Sequence, residues 1–287
     1  MGSFSITNSL TNANRPTLSF EFFPPKDETG WVNLKSSIEH LQNVSPDFVS
    51  VTYGAMGSNQ ETSLAVVEHL VEKVPTIAHL TCIGASQSSI SQLLKKYENA
   101  GVAGILALRG DLPAGLAEFP PSDYTYALDL VSQVQESTDL EIGVATFPEK
   151  HPESTSIERD IEILKMKQDA GASFGMTQLF FNVDAYTSLV NKAKLAGVTI
   201  PIVPGVMPIA NAKQVLRMAQ MSGASVPADL EQALLQASDD SQARAIGMDF
   251  TVKLVEELKQ LGAPGIHIFT LNHHLAALEL VHEAQLA

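Results

Sequence analysis

Cysteine is almost missing from this sequence: among 287 residues there is one, Cys82. A lone cysteine excludes a disulfide framework and any all-cysteine zinc site. Basic residues are also scarce, 18 Lys and Arg against 32 Asp and Glu, so the formal charge is −14 and the pI is near 4.9. Affinity for a nucleic-acid backbone comes from clustered Lys and Arg, so nucleic acid is not expected as a partner. No apolar run approaches the roughly 18 residues of a membrane span. The first 14 residues, MGSFSITNSLTNAN, lack the basic and apolar regions of a signal peptide. Ile6 stands where a myristoylation signal needs Ser or Thr. The expectation is a cytoplasmic protein with a flexible tail over residues 1–14.

Several chemical signatures are absent as well. There is no G-x-G-x-x-G and no G-x-x-x-x-G-K-[ST], hence no Rossmann fingerprint or P-loop. There is no H-E-x-x-H and no G-x-S-x-G. The first strand reads F-E-F, where a barrel metallohydrolase would show paired histidines, and no metal site is expected. No strand segment carries a lysine, which argues against a Schiff-base aldolase.

What is present is alternation. Short β-rich runs recur at 17–23, 47–53, 77–83, 104–110, 141–147, 175–181, 200–206 and 265–271, each followed by a helical pattern. The gap before the last run is longer and holds two helices, near 228–236 and 240–261. Eight βα units of about 30 residues, with no linker or composition shift between them, predict an α/β fold: a single-domain (β/α)8 TIM barrel over residues 15–287. A doubly wound sheet is the competing arrangement, and it would usually open on a Gly-rich turn.

In such a barrel the C-terminal strand ends form the active face, and strand residues alternate between the barrel interior and the helices. By parity Glu21 points inward among phenylalanines, His79 shares a face with Thr81, and Gln178 shares one with Met176 and Phe180. Arg109 and Asp111 end the fourth strand, and His151 follows the fifth. Each has a plainer reading: an ion-pair partner, a satisfied core histidine, a loop residue, a hydrogen-bonded core amide. Their convergence on the upper face of four strands favours function, because buried ionisable groups are costly unless paired or used. A carboxyl among apolar rings is disfavoured in its charged form, which suits a general acid.

The segments S-F-E-F-F-P-P (19–25), V-T-Y-G-A (51–55), H-L-T-C (79–82), A-L-R-G-D (107–111), H-P-E (151–153), D-A-G-A (169–172), T-Q-L-F-F (177–181), P-G-V-M-P (204–208) and T-L-N (270–272) occur in this order. Together they resemble methylenetetrahydrofolate reductase, in the bacterial form that is the catalytic barrel only, from about Leu18 to Asn272. The resemblance implies reduction of 5,10-methylenetetrahydrofolate to 5-methyltetrahydrofolate by NADH or NADPH. Hydride would pass through FAD, the two substrates taking turns. It makes Glu21 the general acid and Asp111 a second catalytic group beside the flavin and pterin. It adds Gln178 and Phe180 to the folate site. It places Thr52, His79, Arg109, Gly110, Asp111, Ala145, Phe147, His151, Asp160 and Lys167 along the FAD. A homo-oligomer is implied, and nothing after the last strand resembles the regulatory domain of the animal-type enzymes.

The sequence also departs from the family pattern. Phe147 stands where a tyrosine is usual, and Ile163 and Met166 where some bacterial members carry Asn and Arg. Ala212 replaces an aromatic, and His273 the arginine after T-L-N. Two alternatives therefore stay open: a reductase of the same fold with weak or no flavin, and a non-catalytic folate- or flavin-binding barrel.

Overall fold

A computed structural model describes residues 4–53, 60–112 and 115–287. Gly54 and Ala55 of the V-T-Y-G-A segment lie outside the described residues. The elements run α1 (Ile6–Asn12), β1 (Thr17–Phe22), α2 (Glu28–Gln42), β2 (Phe48–Val51), α3 (Gln60–Val71), β3 (Thr76–Thr81), α4 (Gln87–Ala100), β4 (Gly104–Leu108), α5 (Ala127–Ser137), β5 (Glu141–Thr146), α6 (Ile157–Asp169), β6 (Phe174–Thr177), α7 (Val183–Leu195), β7 (Ile202–Val203), β8 (Gly205–Val206), α8 (Ala212–Ser222), α9 (Ala228–Gln236), α10 (Asp240–Gln260), β9 (Gly265–Phe269) and α11 (His274–Glu283). All ladders are parallel, in the order β7-β6-β5-β4-β3-β2-β1-β9-β8. The last strand pairs with the first, Glu21 facing Phe269 in register. The chain is a single (β/α)8-type barrel.

The expected strand at 200–206 is split into β7 and β8. Pro204 lies between them; it has no N–H for a ladder, so pairing passes from β6 on one side to β9 on the other. Helix starts follow local chemistry. Asp27, Ser86, Ser156, Asn211 and Asp239 each accept a backbone N–H of the first turn, the usual remedy for its unpaired donors.

Side-chain parity divides the strands as the alternation rule requires. Leu18, Phe20 and Phe22 pack outward with Leu34, Ile38, Leu80 and Val144 beneath the helices. Cys82 joins that outer core, and burial pushes its thiol up to about 11. The inner parity of β2, β3, β4, β6 and β7 builds a floor of Phe48, Ile77, Leu106, Phe174, Met176 and Val203. Gly143 is required here, because a Cβ on it would lie 2.4 Å from the Phe174 ring.

The expected flexible tail is corrected. Residues 6–12 form a helix whose Ile6 and Leu10 are buried against this floor, closing the N-terminal end of the barrel. The Glu141 carboxylate, at the start of β5, accepts the backbone N–H of Ile6 at 2.7 Å and of Thr7 at 2.8 Å, and also takes the Thr7 hydroxyl. An acidic group on a helix N-terminus satisfies both its donors and its dipole. Among the described residues no helix is long and apolar enough to cross a membrane.

Candidate active site

Above the apolar floor the inward positions turn polar. Ser19, Ser50 and His267 form one layer, and Glu21 and His79 stand above it. Glu21 is buried, and no described residue donates a hydrogen bond to its carboxylate. Its Oε2 faces two imidazoles, with His79 Nε2 at 3.6 Å and His267 Nε2 at 3.9 Å. His79 Nε2 is itself buried without a hydrogen-bond partner.

Burial pushes the His79 pKa down to about 4; Glu21 opposes that shift and His267 reinforces it. The ring is neutral at pH 7. Its folded value lies below the unfolded one of about 6.5, so the unfolded chain binds the extra proton between the two. This contribution to stability is present above pH 6.5 and is lost as pH falls through the folded value, about 3 kcal/mol by pH 4. Thermal melts from pH 7 to pH 4.5 should show a steeper loss for the native chain than for His79→Gln. Equal slopes would refute the assignment.

The last residues of β1 are fixed from β9. Thr270 Oγ1 donates to the Glu21 carbonyl at 2.7 Å. The Asn272 amide brackets Phe23, accepting its N–H at 2.9 Å and donating to its carbonyl at 2.8 Å. Leu271 and Asn272 hold φ of 50° and 60°, the left-handed turn that aims the amide back at β1. The T-L-N segment thus orients the backbone that carries Glu21.

A second cluster lies at the ends of β4 and β5. Asp160 on α6 accepts the His151 N–H at 2.7 Å, and His151 meets Phe147 edge to face with centroids 4.6 Å apart. Arg109 is paired at 2.6 and 2.8 Å to both oxygens of Glu153, and its guanidinium lies 4.8 Å from the Phe119 ring centroid. That hydrogen bond raises the Arg109 pKa and lowers that of Glu153. Gly110 follows at φ 93°, where a Cβ would come within 2.7 Å of Ile83, so only glycine lets the chain turn here. Half-buried Lys167 on α6 makes no hydrogen bond or ion pair with any described residue, and burial lowers its pKa.

The strand ends open above these groups: Thr52, Ala145 and Gln178 are half-buried on the inner parity. The Gln178 carbonyl accepts the Leu179 N–H at 2.8 Å, which leaves its NH2 without a described partner. Asp111 is exposed just past β4 and acts on Arg109 through its charge. Phe180 does not reach the mouth; it is buried in the outer core and stacked on Tyr186 at 5.9 Å. The expected folate contact of Phe180 is therefore corrected to packing. Reading by sequence missed His267, Ser19, Ser50 and Glu153. His267 carried a signal, since it shares the inward parity of Phe269.

The methylenetetrahydrofolate reductase family model matches residues 6–285. The chain is 35% identical over 268 residues to the 5,10-methylenetetrahydrofolate reductase of Escherichia coli K12, covering 92% of this chain and 89% of that protein. It is 35% identical over 289 residues to methylenetetrahydrofolate reductase (NADH) 1 of Arabidopsis thaliana, covering 95% of this chain and 49% of the plant protein. Among solved structures, a Clostridium thermocellum protein described as binding two copies of 5-methyl-5,6,7,8-tetrahydrofolic acid superposes with a TM-score of 0.65. The two are 17% identical, and 96% of each chain is covered.

Proposed function

The chain belongs to the methylenetetrahydrofolate reductase family, and we propose that it reduces 5,10-methylenetetrahydrofolate to 5-methyltetrahydrofolate in the cytoplasm, with NADH or NADPH as reductant and FAD as relay. The observation that carries this reading is Glu21: a buried carboxyl at the mouth end of β1, positioned by Thr270 and faced by two imidazoles.

The second cluster fits a flavin dinucleotide. Lys167 is a half-buried cation in no ion pair with a described residue, Gly110 and Ala145 leave the strand ends small, and Phe147 with His151 supplies an aromatic wall. Lys167 and Arg109 would hold the diphosphate side, the latter after exchanging Glu153 for phosphate oxygens. A bound flavin would supply the two-electron relay between nicotinamide and folate. The protein's own work is proton and charge placement. Glu21 gives its proton to N10 as the methylene bridge opens. The charge of Asp111 stands beside the cationic iminium that forms. Gln178 offers its free NH2 to the pterin edge.

Purified protein should show a flavin band near 450 nm that NADH or NADPH bleaches and methylenetetrahydrofolate restores. Lys167→Met should weaken FAD binding about tenfold or more, the value of one charge-assisted contact. Folate reduction without any flavin band, even after FAD is added, would favour the flavin-poor reductase that Phe147, Ile163 and the exposed Met166 suggest. Failure of nicotinamide to bleach bound flavin would favour a binding protein.

A further inference from the structure

The proposed reaction consumes a proton in every cycle. The bond from the bridging carbon to N10 breaks with its electrons on N10, and N10 takes the proton of Glu21. A hydride that originates on NAD(P)H then turns the carbon into a methyl group on N5. Glu21 is left as a buried carboxylate that must regain its proton from water. The floor beneath it is apolar, and the side chains that build it cannot share that proton.

Two groups beside Glu21 can. His79 and His267 both aim Nε2 at the same oxygen, Oε2. The His267 ring is fixed: Nδ1 lies 2.8 Å from Ser19 Oγ, and Nε2 lies 3.4 Å from Ser50 Oγ. Ser19 Oγ is also 3.5 Å from the Ile266 carbonyl, to which it donates. With the Ser19 hydroxyl given to that carbonyl, Nδ1–H donates to Ser19 Oγ, and the single Nε2 lone pair lies between Ser50 Oγ and Glu21 Oε2. The backbone N–H of His267 is tied at 3.0 Å to the carbonyl of Pro204.

We propose that His267 is a positioning residue for the acid: tethered by Ser19 and Ser50, it marks Oε2 as the proton-bearing oxygen of Glu21 and holds it between two imidazole acceptors until the folate arrives. Distances of 3.6 and 3.9 Å are one small carboxyl rotation from a hydrogen bond. The proposal rests on the reading of Glu21 as the acid.

The test has two parts. Nitrogen-15 NMR of histidine-labelled native protein should show the His267 ring proton on Nδ1 and a bare Nε2; a proton on Nε2 overturns the proposal. In rapid kinetics, His267→Leu should still let NADH reduce the flavin and should slow folate reduction about 10²-fold, the cost of a misplaced reacting group. Its pH profile should shift, and His267→Gln, which keeps an acceptor, should recover most of the rate. Equal slowing of both half-reactions, full retention of folate reduction, or an unmoved pH profile would overturn the role. If His267→Leu fails to fold, the nitrogen shifts of the native protein decide. Retention of folate reduction by Glu21→Gln would mean that the acid assignment itself had failed, whatever His267 does.

Discussion

Glu21→Gln is expected to lower folate reduction by roughly 10² to 10⁴-fold, the range that general acid catalysis supplies, while NAD(P)H still reduces the flavin. The amide keeps the size of the carboxyl and can still meet the imidazoles, so the packing around β1 should survive. What it cannot do is give N10 a proton. Rapid mixing separates the halves: nicotinamide with oxidised enzyme, then folate with reduced enzyme. If both halves survive, Glu21 is not the acid; if only flavin reduction is lost, it serves the nicotinamide instead. The size of the expected effect follows from burial. Glu21 lies inside the barrel, and no described residue donates a hydrogen bond to its carboxylate.

The barrel was legible because each strand repeats one rule. Parity alone assigned Leu18, Phe20 and Phe22 to the helices and Glu21 and His79 to the interior, and Cys82 to packing. Arg109, Phe147 and His151, named through the family resemblance, lie just past β4 and β5, and Asp160 and Lys167 lie on α6. What stayed hidden depends on contacts between distant segments. His267 matters because β9 closes on β1, placing it opposite Ser19 across 248 residues, and no local pattern reveals that register. Glu153 follows His151 in H-P-E, but its use shows only when Arg109 comes within reach. Phe180 shares its parity with Gln178, yet the chain leaves the strand after Thr177, and alternation no longer governs which way a side chain points.

The N-terminal helix shows the same limit and leads to the largest stability effect expected. Its sequence is rich in Ser, Thr and Asn and reads as solvated tail; only Ile6 and Leu10, four residues apart, lie on one face. A seven-residue helix is too short to persist alone. It exists because the barrel floor buries those two side chains and because Glu141, 135 residues away, accepts its first N–H groups. Truncating a buried Ile or Leu to Ala costs about 2–5 kcal/mol, so Ile6→Ala with Leu10→Ala should remove roughly 5 kcal/mol, a large share of a domain's net stability. The melting temperature should fall by roughly 10 °C. Glu141→Ala should cost less, about 1–2 kcal/mol, as a lost helix cap does. Because the plug lies at the opposite end of the strands from Glu21, activity per folded molecule at 25 °C should not change. A loss under about 1 kcal/mol for the double variant in urea unfolding would mean that the helix is dispensable and the floor seals itself.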